Sequence, residues 1–245
     1  MDFLKKRCSV RRYKTEDVSD ELLNNLLLQA ERTQTMGNMQ LYSVVVTRSP
    51  EMKEALSPLH FNQPMVKGAP VVLTFCADFN RTVKWCSYRE AQSGYDNFLS
   101  LMNAVSDTLL YTQTFSCLAE SAGLGVCYLG TTLYNAGQIV DLLHLPRLVL
   151  PVATLTVGYP DESPKQTERL PLQSLVHQEV YHDYTEQSIN QFYEEKESLP
   201  ENQEFVRINN KHTLAQVFAE VRYNKADNEA ISSVLLETLK KQGFM

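Results

Sequence analysis

The sequence predicts an α+β domain, and three observations carry that prediction. Short apolar runs rich in β-branched residues, at 41–47, 70–77, 126–129 and 149–157, alternate with stretches of helical periodicity. One of those stretches, 95–122, keeps apolar residues at helical spacing for about seven turns. Beyond Pro160 the chain becomes polar and mostly helical.

Taken in order, residues 19–33 carry Leu22, Leu23, Leu26, Leu27 and Ala30 just after Ser19, a good N-cap, and read as a helix. Residues 41–47 follow as a strand. Ser49-Pro50-Glu51 supplies a cap, a proline at the first helical position and an acid in the first turn, so a second helix starts there. The apolar run 70–77 is too short for a helix and reads as a buried strand. In 95–122 charge is nearly absent between Asp96 and Glu120, and apolar residues reach most of the way round. Such a helix needs burial, in one core or in a subunit interface; Gly123 supplies its stop. A short strand at 126–129, a helix at 135–143 and a strand at 149–157 with Pro151 near its start come next. Residues 185–198, 214–223 and 226–242 read as amphipathic helices. The expected division is a core over 1–175 and a C-terminal helical excursion over 176–245.

The chain has 245 residues, a formal charge of −6 and five cysteines with no C-x-x-C pair. An acidic balance argues against a general nucleic-acid binder, which needs a basic face to displace counterions. Gly123, Gly125, Gly130 and Gly137 break the longest uncharged window, so no membrane span is expected. The odd, scattered cysteines and a start without an apolar h-region suggest reduced thiols in a cytoplasmic protein.

Positive charge concentrates at the N-terminus, where Lys5, Lys6, Arg7, Arg11, Arg12 and Lys14 surround Cys8-Ser9-Val10. A solvated basic arm is the ordinary reading of such a run. Arg and Ser donors leading into a helix that fixes them would equally suit a phosphate monoester dianion. The glycines of Gly123-Leu-Gly-Val-Cys-Tyr-Leu-Gly130 flank a short strand, which fits either a tight helix–strand turn or close approach of backbone to a flat ligand. There is no G-x-S-x-G, no H-E-x-x-H and no Walker A sequence, and the five histidines are scattered, so no metal is expected. A phosphate-ready terminus without an acid–base set points to a cofactor that carries its own reactivity.

Four segments in order resemble the nitroreductase superfamily, in particular its oxygen-insensitive nitroreductases and flavin reductases. Cys8-Ser-Val-Arg-Arg-Tyr13 stands where that family has Arg-Ser-x-Arg-x-Phe/Tyr, and Phe75-Cys-Ala-Asp-Phe-Asn-Arg81 resembles a landmark strand and its exit. The stretch 123–130 is similar to Gly-Leu-Gly-x-x-Tyr-Ile-Gly. The stretch from Leu142 through Pro146 and Pro151 to Pro160 is similar to Leu-x-Leu-Pro…Leu-Pro…Gly-x-Pro. The resemblance implies a nitroreductase-like FMN-binding fold, a central mainly antiparallel sheet flanked by helices, in a homodimer with its site at the subunit interface. Carried over by position, Arg7, Cys8, Ser9, Val10, Arg11 and Arg169 would hold the FMN phosphate and the ribityl or pyrimidine edge. Thr35 would lie near the flavin, and Gln63 would reach its pyrimidine ring. Tyr128, Leu129, Gly130 and Thr131 would line the isoalloxazine, with the Gly130 N–H near N5, where a donor stabilises the reduced ring. Thr167 stands where the family has a flavin-contacting Lys, and Lys165 would reach in its place.

The implied activity is ping-pong, two-electron reduction of small-molecule acceptors (nitroaromatics, quinones or flavins) by NADH or NADPH. An FMN-binding store or sensor without turnover is the alternative. Relatives that prefer NADPH carry clustered arginines where this chain has only Arg207 and Lys211 over 198–211, with Ser232 replacing another. A 2′-phosphate needs paired cations, so NADH is expected to serve comparably or better.

Overall fold

A computed structural model describes residues 2–245. The chain divides into two compact units, one formed by Met1–Lys165 with Ser232–Met245, the other by Gln166–Ile231.

The first unit is built on a four-stranded antiparallel sheet. Its strands are β1 (Tyr42–Thr47), β2 (Val71–Asp78), β3 (Gly125–Leu129) and β4 (Val149–Gly158), in the order β1-β2-β4-β3. β2 and β4 are central and buried at every position, which is why both read as continuous apolar runs without alternation. Pro151 in β4 has no N–H to give the ladder. The sheet accommodates it with a register shift between Phe75 and Cys76, the residue facing it.

Helices cover this sheet. α1 (Asp20–Ala30) starts at Ser19, whose hydroxyl accepts from the Leu22 N–H, and α2 (Pro50–Leu56) is capped likewise by Ser49. α3 (Asn80–Ser87) follows β2, and α4 (Phe98–Ser121) is the long apolar helix, capped by Asn97. α5 (Ala136–Leu142) precedes β4. One side of α4 carries Leu101, Ala104, Tyr111, Phe115 and Ala119 into the core, where Phe115 packs on Phe75, and Tyr111 stacks on Tyr42. The other side leaves Phe98, Leu99, Met102, Leu109 and Leu110 exposed, Leu99 at 71%. So one core buries half of this helix, and its greasiness all round is explained only in part by the single chain. Gly123 ends it with φ +83, a left-handed turn that suits glycine.

The second unit holds α6 (Glu186–Ser198), α7 (Pro200–Ile208), a helical turn at Leu214–Gln216 and a wider π-turn at Val217–Arg222. The expected helix at 214–223 is thus broken in its hydrogen-bond pattern. Sequence reading missed α3, the short helix Pro64–Gly68 and α7, each under ten residues long. α8 (Lys225–Gln242) completes the chain, with Thr238, Leu239 and Gln242 buried. No helix among the described residues is long and apolar enough to cross a membrane.

Candidate functional site

The N-terminal cations are laid against β3. Val10 donates its N–H to Val126 O at 3.1 Å, and a Cβ on Gly125 would stand 2.7 Å from the Val10 side chain. Gly125 is therefore small because residue 10 passes over it. The Tyr13 hydroxyl locks the turn, 2.6 Å from Val10 O and 2.8 Å from Thr156 Oγ1, and Tyr13 bridges to Pro160. Burial pushes that phenol well above its ordinary range, so it stays a neutral hydroxyl. A carboxylate that sequence reading passed over completes the turn. Glu162 accepts from the Arg11 and Arg12 N–H groups at 2.5 and 3.0 Å and pairs with Arg12 Nε at 3.2 Å, and these bonds hold its carboxyl below the usual range.

The result fixes the Arg7–Arg11 segment against β3 through Val10. Burial pushes the Cys127 thiol up, while the positive charges of Arg11 and Arg7 pull it back down. Arg7 Nε also lies 3.3 Å from Glu120 Oε2, near the C-terminal end of α4. Desolvation raises the Glu120 carboxyl, and the nearby Arg7 opposes that shift. Arg7, Cys8 and Ser9 are half-buried, Arg11 is exposed, and the Val10 side chain is buried in packing against Gly125.

β3 points into this region by alternation. Tyr128 is 46% exposed, while Leu129 turns its side chain into the core beside Leu56, Met65, Val66 and Val72, so only its backbone is offered. A Cβ on Gly130 would meet nothing within 4 Å, which leaves open space over that peptide. Thr131 follows, half-buried, its hydroxyl 2.8 Å from His60 Nδ1 and 3.4 Å from Gln63 Nε2. Gln63 and Thr131 are thus brought together, with His60 as a third member that sequence reading did not single out. Its signal was weak: one histidine between Leu59 and Phe61 reads as core.

Thr35 is half-buried and extended (φ −139) before the short turn Met36–Asn38. Its loop is anchored by Asp107, buried inside α4, which accepts from Met36 N at 2.7 Å and Leu41 N at 3.2 Å. Sequence reading did not single out Asp107, although it is a rare charge in an apolar helix.

Lys165 lies at the edge of the first unit. Thr167 and Arg169 belong to the second unit, and the two meet there: Arg169 Nη1 donates to Thr167 Oγ1 at 2.7 Å and to Glu168 O at 2.9 Å. Between them Glu168 pairs with Lys196 at 2.9 Å. Among the described residues no cluster of three or more His, Cys, Asp or Glu side chains could hold a metal ion.

Comparison with known proteins decides the family. Residues 4–159 match the Nitroreductase family. The chain belongs to it. An FMN reductase [NAD(P)H] of Bacillus subtilis is 30% identical over 96% of this chain and 94% of its own length. An oxygen-insensitive NADPH nitroreductase of Salmonella typhimurium is 33% identical over 76% of each. A crystal structure of a Bacteroides fragilis protein superposes with TM-score 0.99 at 60% identity over the whole of both chains, and NfrA2 of B. megaterium with 0.85 at 28%, over 99% and 96%.

Proposed function

We propose that this protein is an FMN-dependent NAD(P)H oxidoreductase that reduces small-molecule acceptors by two electrons. The observation that supports it best is that the Arg7–Arg11 segment is laid on β3, with Val10 N–H bonded to Val126 O, two residues before Tyr128 and four before the open Gly130 peptide. These residues fit FMN: two guanidiniums suit a phosphate dianion, and an open backbone face beside a half-exposed tyrosine suits a flat ring. The chemistry supplied by bound FMN is hydride acceptance from NADH or NADPH and two-electron delivery to a nitroaromatic, quinone or flavin.

The chain's own residues supply position and electrostatics. In this reading Arg7, Ser9 and Arg11 bind the phosphate and ribityl end, with Cys8 and Val10 shaping the turn, while the Gly130 N–H donates to the ring. Tyr128 and the backbone of Leu129 flank the ring, and Gln63, Thr131 and Thr35 border it. Arg169, with Thr167 and Lys165, belongs to the same proposed set. Positive charge from Arg11 favours an anionic reduced ring by direct attraction. The outer side of α4 exposes Phe98, Leu99, Met102, Leu109 and Leu110, an apolar face of the kind that marks interaction sites, and in this proposal a second copy of the chain covers it, giving a homodimer. Residues 1–175 act as the FMN-binding core and 176–245 as the excursion, in a cytoplasmic protein.

A visible absorption spectrum of the purified protein, followed by anaerobic titration with NADH and with NADPH, tests the reading. The expected result is a flavin band bleached by both, with NADH at least comparable. A hundredfold preference for NADPH in kcat/KM defeats the nicotinamide part, and protein that neither carries nor takes up FMN defeats the whole. A flavin band that neither nucleotide bleaches would favour the store or sensor alternative.

A further inference from the structure

We propose that His60 is a positioning residue whose tautomer makes the Thr131 hydroxyl a hydrogen-bond donor toward the bound ring; the proposal rests on the FMN reading above. His60 ends the turn Pro58–His60 and has 0% exposure. Its Nδ1 is 2.8 Å from Thr131 Oγ1, and Gln63 Nε2 approaches the same oxygen at 3.4 Å. Nε2 of His60 is buried with no hydrogen-bond partner.

The partnerless Nε2 selects one arrangement. If Nδ1 accepted from the threonine, the imidazole proton would sit on Nε2 as a buried N–H with no acceptor, which costs about 1–3 kcal/mol. If Nδ1 carries the proton, Nε2 is left as an unfilled lone pair, the better tolerated of the two defects. Thr131 Oγ1 then accepts from both His60 and Gln63, and its own proton has to leave in another direction. Among the described residues no side chain takes it. An acceptor atom on the edge of a ring over Gly130 would. Desolvation pushes the His60 pKa down to about 4, so the imidazole is neutral at pH 7 and has the single proton this account needs.

The backbone is bent to make this possible. Phe61 and Asn62 are both left-handed (φ 55 and 54), a conformation that is costly for residues with a Cβ and that clusters at functional sites. The bend is closed by Asn62 N to Ser57 O at 2.8 Å and Gln63 N to His60 O at 3.2 Å, and Asn135 Nδ2 holds Leu59 O at 2.7 Å. It aims the side chains of His60 and Gln63, three residues apart, at one hydroxyl.

Two measurements test this. Nitrogen-15 NMR of the histidine rings at pH 7, with the His60 signals assigned by their loss in His60→Asn, should show a neutral ring with the proton on Nδ1. A proton on Nε2, or an imidazolium, overturns the proposal. FMN dissociation constants from flavin fluorescence should then rise about tenfold in Thr131→Val and by a similar factor in His60→Leu. The double variant should be no worse than either single one, because both remove the same bond. Thr131→Ser should bind within about twofold of the unmodified protein, and His60→Asn, whose amide can place an N–H where Nδ1 stands, should recover most of the loss. Multiplying losses in the double variant, with FMN still bound by the unmodified protein, overturn the role of His60 alone. Failure of the unmodified protein to bind FMN overturns the cofactor reading and this proposal with it.

Discussion

In the first compact unit the side chains that hold the fold are apolar and out of water: Phe75, Phe115, Leu73, Leu155 and Ile139 are essentially inaccessible. In Gln166–Ile231 only Ser174, Leu214 and Val217 are buried. That segment is held instead by polar local devices. Thr185 and Thr213 close capping boxes at two helix starts, and Tyr184 donates to Ser174 O at 2.9 Å. The Arg222 guanidinium sits over the rings of Phe205 and Phe218 at 4.9 and 5.6 Å. The contrast teaches where each region tolerates change. Packing cooperates over many neighbours, so a core residue is expensive to alter. Caps and exposed pairs act within a turn and can be replaced one at a time.

The largest expected break is in the core. Phe115→Ala should destabilise the protein by about 4 kcal/mol, read as a lower urea midpoint with an unchanged slope; an effect under about 1 kcal/mol would mean the site collapses freely. Next is acid. His60 has a folded pKa of about 4 against an ordinary 6.5. Its neutral form therefore stabilises fully above pH 6.5, and that contribution is lost as pH falls from 6.5 toward 4, about 3 kcal/mol in all. Urea midpoints at pH 7.5 and pH 4.5 should diverge more in the unmodified protein than in His60→Asn.

Gly125→Ala should cost about 2 kcal/mol by driving residue 10 off β3, and it should weaken FMN binding along with stability. In the second unit, Thr213→Ala should cost about 1 kcal/mol. Its effect should appear as faster amide exchange around residues 213–217 while the first unit's strands stay protected. Arg207→Ala, which breaks an exposed pair with Glu204, should leave the thermal midpoint unchanged.

Legibility in the sequence followed the same divide. All four strands and the long helix were readable because burial imposes continuous apolar runs or a helical stripe. α3 and α7 were not, since Asn80–Ser87 and Pro200–Ile208 are too short for an apolar stripe to repeat over several turns. At the candidate site the motif residues Arg7, Ser9, Arg11 and Tyr128 to Thr131 were nominated by resemblance. Composition alone left the basic run open between a solvated arm and an anion clamp. Glu162, Asp107 and His60 went unread because each acts through a contact distant in sequence, from Glu162 to Arg11, from Asp107 to Met36 and from His60 to Thr131. Nothing in a linear pattern encodes that proximity. Leu129 shows the converse: membership in a motif did not reveal that its side chain faces inward.

The Tyr13 hydroxyl preorganises its turn. By tying the carbonyl of residue 10 to Thr156 of a central strand, it sets the shape of the turn proposed to bind the FMN phosphate when the protein folds, before any ligand arrives. Association then has little ordering entropy to overcome at that turn. Mixing the FMN-free protein with FMN should give a single fast phase whose rate rises linearly with concentration, and Tyr13→Phe should introduce a slower, saturating one.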